Sequence, residues 1–147
     1  MTDWLAVCRA AAADVEAILA EMPPVERQAV LRQGEGGDDT TAIDEAAERA
    51  ILARLEGIDD LTIVSEEIGI VGSGATRVVV DPIDGSLNSK RGIPFFSLSI
   101  AVADGPAMGD VHFGYVYDFG TGEEWVARKG EGATLNDASL GEVRPKD

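Results

Sequence analysis

The most constraining feature of the sequence is an apolar strand that runs directly into acidic residues. The run Val78–Val80 is followed by the segment Asp81–Ser86, which reads Asp-Pro-Ile-Asp-Gly-Ser. Pro82 lacks a backbone N–H and has a fixed φ, so we expect the strand to end there. Because α/β layers place ligands at the carboxyl ends of strands, the position of Asp81 predicts a binding site.

The spacing of the two aspartates favours a metal site. Asp81 and Asp84 are three residues apart across the predicted turn, so both carboxylates can face one point. Carboxylates that close repel each other unless a cation neutralises them, and oxygen-only ligands suit Mg²⁺. Gly85 and Ser86 would begin a short helix whose free N–H groups could bind phosphate. The alternative is an ordinary turn with an aspartate as helix cap, and the segment alone leaves both open.

Two further acidic positions could contribute to the same site. Glu66 and Glu67 follow a second apolar strand, Leu61–Val64, and Glu66 would lie beside Asp81 if the two strands are neighbours. Asp44 lies in the first turn of a predicted helix. Taken alone, the glutamates are typical of a solvated loop and the aspartate of helix capping.

Helices come first along the chain and strands later. Apolar periodicity predicts helices over Trp4–Met22, from Pro24 to about Arg32, and from Thr40 or Thr41 to Gly57, with a flexible acidic loop over 34–39. The predicted strands are Leu61–Val64, Arg77–Val80, Ser97–Ala103, Val111–Tyr117 and Glu124–Arg128. This order predicts an α+β fold in a single domain that covers residues 1–147.

The charge of the chain disfavours two classes of partner. Its 27 acidic and 12 basic residues give a formal net charge of −15. Such a charge argues against nucleic acid, whose sequence-independent binding requires cations, and against an anionic membrane surface. Most of the acidity fits a surface adapted for solubility, as in halophiles, while some carboxylates could converge on metal ions.

The sequence predicts a cytoplasmic protein. No apolar run approaches the ~18 residues of a transmembrane helix, and Asp3 stands where a signal peptide would carry Lys or Arg. Cys8 is the only cysteine, which excludes an intrachain disulfide and a multi-cysteine zinc site.

Four potentially reactive residues are expected to have structural or surface roles. Cys8 lies on the apolar face of the first helix, and His112 lies within a predicted strand. Lys90 and Arg91 follow the acidic motif and could contact a phosphorylated substrate, although we expect them to be exposed.

Together the motifs resemble the inositol monophosphatase superfamily. The resemblance covers residues 34–137 and is carried by Glu66–Glu67, Asp81–Asn88, Gly92–Ala101, the Gly34–Asp44 loop and helix start, and Gly130–Asn136. Ser65 before the acids and the Gly34 loop are most similar to the archaeal type, whose members commonly act on fructose 1,6-bisphosphate and inositol monophosphate. The resemblance implies a layered α/β sandwich with N-terminal helices packed on a mostly antiparallel sheet.

The resemblance also implies a Mg²⁺-dependent phosphomonoesterase with two or three ions. Glu66, Asp81 and the Ile83 carbonyl would hold one Mg²⁺. Asp81 and Asp84 would hold a second, and Glu67 matches a position often tied to a further, weaker metal.

The remaining site residues implied by the resemblance act on water and substrate. The Ser86 hydroxyl and Asp44 would orient a metal-bound water, so that Asp44, Ser86 and the ligand Glu66 form the catalytic set. Gly85, Ser86 and Asp84 would bind the phosphate of a small phosphorylated sugar or inositol.

The chain departs from the family pattern in two respects. Ser86 stands where many members carry Thr, which preserves the hydroxyl. Family members continue into a second α/β layer with a Trp-Asp motif, whereas neither Trp4 nor Trp125 is followed by aspartate here. We therefore interpret the chain as the N-terminal half of such an enzyme, which would be a homodimer at full length.

Two other functional hypotheses remain open. The chain could be a non-catalytic or degenerate divalent-metal-binding fragment of this family. An enzyme that forms an aspartyl-phosphate is disfavoured, because Asp81 and Asp84 are spaced D-x-x-D rather than D-x-D.

Overall fold

The first three helices precede all strands of the main sheet in the structure, as the sequence predicts. The structure is a computed structural model that describes residues 2–35, 37 and 39–141. Its first part comprises α1 (Trp4–Glu21), α2 (Pro24–Arg27), β1 (Val30–Gln33), β2 (Asp39–Thr41) and α3 (Ala42–Leu55). Its second part comprises β3 (Leu61–Ser65), β4 (Gly69–Gly72), β5 (Thr76–Asp84), α4 (Ser86–Arg91), β6 (Ser97–Ala103), a 3₁₀ turn (Met108–Asp110), β7 (Val111–Asp118), β8 (Glu123–Arg128), β9 (Gly132–Leu135) and β10 (Ala138–Ser139).

The segment between α1 and α3 differs from the prediction. The helix expected to reach about Arg32 ends after four residues, and β1 instead forms an antiparallel hairpin with β2, in which Arg32 lies opposite Thr40. All four residues of β1 are exposed, so a helix there would bury no apolar face, and most helical stability comes from such burial. Gly36 and Asp38 of the predicted acidic loop lie outside the described residues.

The main sheet is mostly antiparallel, which confirms the predicted α+β class. Its eight strands are arranged in the order β10-β9-β8-β7-β6-β5-β3-β4. The exception to antiparallel pairing is β3 with β5, which are parallel and place Ser65 opposite Val80. Parallel strands end at the same edge of a sheet, so the residues that follow β3 and those at the end of β5 become neighbours.

One face of the sheet packs against α1 and α3. The buried core residues contributed by the sheet are Val78, Val80, Ile83, Leu98, Ile100, Val102, Phe113, Tyr115 and Val126. The helices contribute Cys8, Ala11, Ala12, Val15, Leu19, Ile43, Ala47, Ile51 and Leu55. Burial raises the pKa of the Cys8 thiol to about 12, and its place in the core is as predicted. Within the described residues, no helix has the length and apolar character needed to cross a membrane.

The parallel pair depends on a tight crossing at the start of the two strands. Only residues 66–75 connect β3 with β5, and this connection contains β4. At the crossing, Gly74 N–H donates to the Leu61 carbonyl at 3.1 Å, and Thr62 Oγ1 donates to the Gly74 carbonyl at 2.7 Å. A Cβ atom at Gly74 would lie 1.9 Å from the carbonyl carbon of Asp60, so only glycine fits there.

Replacing Gly74 therefore tests whether this crossing is essential to the fold. We expect Gly74→Ala to lower the free energy of unfolding by more than about 2 kcal/mol, because backbone atoms must move apart. Urea unfolding followed by circular dichroism measures the change. Gly109→Ala is the matched control, since a Cβ there meets nothing within 4 Å. Equal stability of the two variants would contradict the proposed constraint.

Candidate active site

The carboxyl ends of β3 and β5 bring the predicted acids together. Glu66 and Glu67 directly follow β3, and Asp81 follows Val80, the residue opposite the last residue of β3. A shallow cavity at this edge of the sheet is lined by Ser65, Glu66 and Asp81. The conditional prediction that Glu66 lies beside Asp81 is thus met by the strand order.

The electrostatics show that the acids form one cluster. Burial, and then the charges of Glu66, Asp84 and Glu67, raise the pKa of Asp81 to about 6, against a hydrogen bond from the Ile83 backbone N–H. Burial also raises the pKa of Glu67, with further contributions from Asp44 and Glu66, against a hydrogen bond from Thr40. We refer to Asp44, Glu66, Glu67, Asp81 and Asp84 as the acidic cluster.

A bulge in β5 sets the relative orientation of the two aspartates. The prediction that the strand ends at Pro82 was wrong, because β5 continues to Asp84. Asp81 lies opposite Ser99 and Asp84 opposite Ser97, so three residues of β5 advance against two of β6. A bulge tolerates a proline that cannot donate to the ladder.

The bulge places both aspartates on one face of the sheet. Ser97 and Ser99 are two residues apart on β6 and therefore share a face, which their partners Asp84 and Asp81 also share. Val79 precedes Asp81 on the same face and is 45% exposed, whereas Val78 and Val80 are buried on the helix-covered face. The aspartates therefore lie on the face opposite α1 and α3.

The turn from β5 into α4 requires glycine and adjoins a second cavity. Gly85 has φ 87°, in the left-handed region, and immediately precedes α4. Asn88 Nδ2 donates to the Phe95 carbonyl at 2.7 Å, which ties α4 to the following loop. A cavity of about 190 Å³ lies beside this turn and is lined by Asp84, Gly85, Asn88, Phe95, Phe96, Ser97, Val116, Asp118 and Trp125.

Asp44 is buried and held by hydrogen bonds at the start of α3. The backbone N–H and Oγ1 of Thr41 both donate to its Oδ2 atom, at 2.9 and 2.6 Å. Within the described part of the chain, the hydrogen bonds to Asp44 come from Thr41 and none comes from Ser86, its predicted partner.

Lys90 lies next to Asp44, and the expectation that it is exposed was wrong. Its Nζ atom lies 3.5 Å from Asp44 Oδ2, and its side chain is 19% exposed. Ser86 and Lys90 are four residues apart in α4 and share one helix face, a spacing that could have indicated a common site. Arg91 is exposed, as predicted.

Sequence reasoning also missed a buried glutamate behind the acidic turn. Glu48 is 3% exposed and accepts a hydrogen bond from Ser65 Oγ, which in turn accepts one from Glu67 N–H at 3.4 Å. Arg32 Nη2 lies 3.8 Å from Glu48, and its Nη1 donates to the Glu67 carbonyl at 2.9 Å. These contacts of Glu48, Ser65 and Arg32 fix the position of the Glu66–Glu67 turn. Glu48 follows Asp44 by one helical turn, which was the signal available in the sequence.

The acidic cluster supplies oxygen donors for a metal ion, but the described side chains do not converge on a common point. Across residues 2–35, 37 and 39–141, no three His, Cys, Asp or Glu side chains are arranged so that they could hold a metal ion. The structure thus brings the predicted ligands to one edge of the sheet but does not direct three of them to a common point. Their side chains nevertheless offer only oxygen donors, which suit hard divalent cations.

Comparison with known proteins places the chain in a family. The model of the inositol monophosphatase family matches residues 1–146. The chain belongs to the inositol monophosphatase family. A fructose-1,6-bisphosphatase/inositol-1-monophosphatase of Archaeoglobus fulgidus is 38% identical over 142 residues, which cover 92% of this chain and 56% of that protein.

Two further comparisons agree on the family and differ in the names attached. The solved structure of an inositol monophosphatase–fructose 1,6-bisphosphatase superposes on this chain with a TM-score of 0.88 at 32% identity. The superposed region covers 99% of this chain and 57% of the other chain. A Nus factor SuhB of Pasteurella multocida is 39% identical over 106 residues, 70% of this chain and 39% of that protein. The chain spans about half the length of the archaeal relatives that it matches.

The contact between Ser65 and Glu48 can be tested by removing one hydroxyl. We expect Ser65→Ala to lower the free energy of unfolding by about 1–3 kcal/mol, because it removes one hydrogen-bond donor from a buried carboxylate. Urea unfolding provides the measurement. Ser73→Ala is the matched control, since Ser73 is exposed in the loop before β5. A loss no larger than that of the control would show that Ser65 does not support Glu48.

Proposed function

We propose that the chain corresponds to the N-terminal half of a Mg²⁺-dependent phosphomonoesterase. Its substrates would be inositol monophosphate, fructose 1,6-bisphosphate or both. The observation that carries the proposal is the parallel pairing of β3 and β5, which sets Glu66 beside Asp81 in a chain of the inositol monophosphatase family. The full-length protein would be a homodimer.

The acidic cluster supplies the proposed metal ligands. Glu66, Asp81 and the Ile83 carbonyl would hold one Mg²⁺, Asp81 and Asp84 a second, and Glu67 a weaker third. The raised pKa of Asp81, about 6, supports this assignment, because the repulsion from Glu66 and Asp84 that contributes to it is what a divalent cation would relieve. Bound Mg²⁺ lowers the pKa of a coordinated water and neutralises charge on a phosphate.

The chain's own residues would position water and substrate. Asp44 is fixed through Oδ2 by Thr41, and from the described residues Oδ1 receives no hydrogen bond, which leaves it able to orient a water molecule together with the Ser86 hydroxyl. Glu66 completes the proposed catalytic set as a ligand. Gly85, Ser86 and Asp84 would bind the substrate's phosphate beside the cavity of about 190 Å³.

The alternative is a divalent-metal-binding fragment without turnover. It is supported by the half-length match to the relatives and by the open arrangement of the acidic cluster in the described residues. Metal binding is common to both proposals, so hydrolysis of phosphate esters distinguishes them.

Substitution of Asp81 tests the metal site. We expect Asp81→Asn to weaken Mg²⁺ and Mn²⁺ binding by at least about tenfold, because two proposed ions share this carboxylate. Isothermal titration calorimetry on the 147-residue chain gives the affinities, and circular dichroism verifies folding. Asp59→Asn, at an exposed position after α3, is the control of equal charge change. Unaltered metal affinity in Asp81→Asn would refute the assigned ligands.

Phosphate release tests the proposed reaction. We expect the 147-residue chain to hydrolyse inositol 1-phosphate and fructose 1,6-bisphosphate only slowly, since it matches about half of its relatives. A chimera that continues into the remainder of the Archaeoglobus fulgidus relative should regain hydrolysis and lose it on Asp81→Asn. Ordinary turnover by the isolated chain would contradict the half-enzyme interpretation, and a folded but inactive chimera would favour the alternative.

A further inference from the structure

Lys90 places an ammonium group within the acidic cluster. Its Nζ atom lies 3.5 Å from Asp44 Oδ2, and both side chains are largely buried, at 19% and 4% exposure. The ion pairs of the described residues include no other Lys, Arg or His within 4.0 Å of a cluster carboxylate. Arg32 pairs with Glu48, and its charge acts on Glu67 without a direct ion pair. Lys90 is therefore the direct counter-ion of this site.

The backbone around Lys90 fixes the position of its side chain. Gln28 Nε2 donates to the Lys90 carbonyl at 2.9 Å, which ties α4 to the end of α2. Gly92 follows with φ 69° and ends the helix one residue later. Since Ser86 shares the face of α4 from which Lys90 reaches Asp44, this face is the one directed at the start of α3.

Lys90 and Thr41 approach the same oxygen atom of Asp44. Asp44 Oδ2 accepts hydrogen bonds from the Thr41 N–H and hydroxyl, and the Lys90 ammonium lies 3.5 Å from the same oxygen atom. A largely buried ion pair is screened little by solvent. Asp44 in turn lies close enough to Glu67 for its charge to act on that carboxylate.

We propose that Lys90 is a built-in cation of this site, which holds Asp44 in place and stands in for part of the divalent charge that the acidic cluster requires. The proposal rests on the proposed function in taking Glu66, Glu67, Asp81 and Asp84 of the cluster as metal ligands. Two consequences follow. Lys90 stabilises the metal-free chain against carboxylate repulsion, and it lowers the affinity of the cluster for divalent ions.

Metal titration tests the second consequence. Mn²⁺ binding to the 147-residue chain is measured by calorimetry at 0.1 M salt for the unsubstituted chain, Lys90→Met, Lys90→Arg and Lys129→Met. We expect Lys90→Met to bind Mn²⁺ on the order of tenfold more tightly, and Lys90→Arg to stay within about twofold of the unsubstituted chain. Lys129 bonds to the Gly109 carbonyl and controls for net charge, with an expected change below about twofold. A Lys90→Met affinity equal to that of Lys129→Met, or weaker, would overturn the proposal.

A double-mutant cycle without metal tests the first consequence. The variants are Lys90→Met, Asp44→Asn and the double substitution, unfolded by urea in the presence of a chelator; Asn at position 44 retains an acceptor for Thr41. We expect a coupling of at least about fivefold in the unfolding equilibrium constant. Additive effects would overturn the proposal even if metal binds normally. Absence of Mn²⁺ binding by the unsubstituted chain would instead defeat the proposed function, and the cycle would then decide the role of Lys90.

Discussion

The parallel hydrogen-bonded pairing of β3 with β5 is the interaction on which the candidate site depends. It is the one parallel contact in a sheet that is otherwise antiparallel among the described strands, and it alone brings the Glu66–Glu67 turn to Asp81. The two elements that complete the site approach from opposite directions along the chain. Asp44 comes from α3 before β3, and α4 follows β5, so the pairing also sets the place where the start of α3 meets Lys90 in the last turn of α4.

The sequence was sufficient for five of the eight strands of the main sheet and for the acidic residues, and β4, β9 and β10 were not predicted as strands. It was insufficient where local preference competes with pairing. The strands near Leu61 and Arg77 could be predicted because a run of apolar residues is recognisable from the sequence alone. The hairpin of β1 with β2 was missed because β1 carries no buried face and forms only through its partner. The bulge at Asp81–Asp84 was missed because proline normally ends a strand, whereas a bulge releases it from the ladder. The spacing of the acidic residues left open whether they bind metal or cap helices, and the family resemblance assigned them to one site.

Lys90 and Glu48 illustrate a second limit of the sequence. Both are charged residues on helices, and charged residues on helices are ordinarily solvated. Their burial follows from tertiary contacts, with Asp44 for Lys90 and with Ser65 for Glu48. The net charge of −15 therefore has two parts: most acids, Glu66 and Asp84 among them, are available to solvent, while a few such as Asp44 and Glu48 are buried, each beside one cation.

The crossing at Gly74 makes position 74 sensitive to substitution, although it lies at the opposite end of the strands from Glu66 and Asp81. Gly74 meets Asp60 and Leu61 at the amino ends of β3 and β5, whereas Glu66 and Asp81 lie at their carboxyl ends. A side chain at position 74 would push apart the two strands whose far ends carry the carboxylates. A survey of substitutions scored only by metal binding would thus rank this glycine with the ligands, although it offers no side-chain atom to any ion. The position of the carboxylates at one end of the strand pair therefore depends on close backbone packing at the other end.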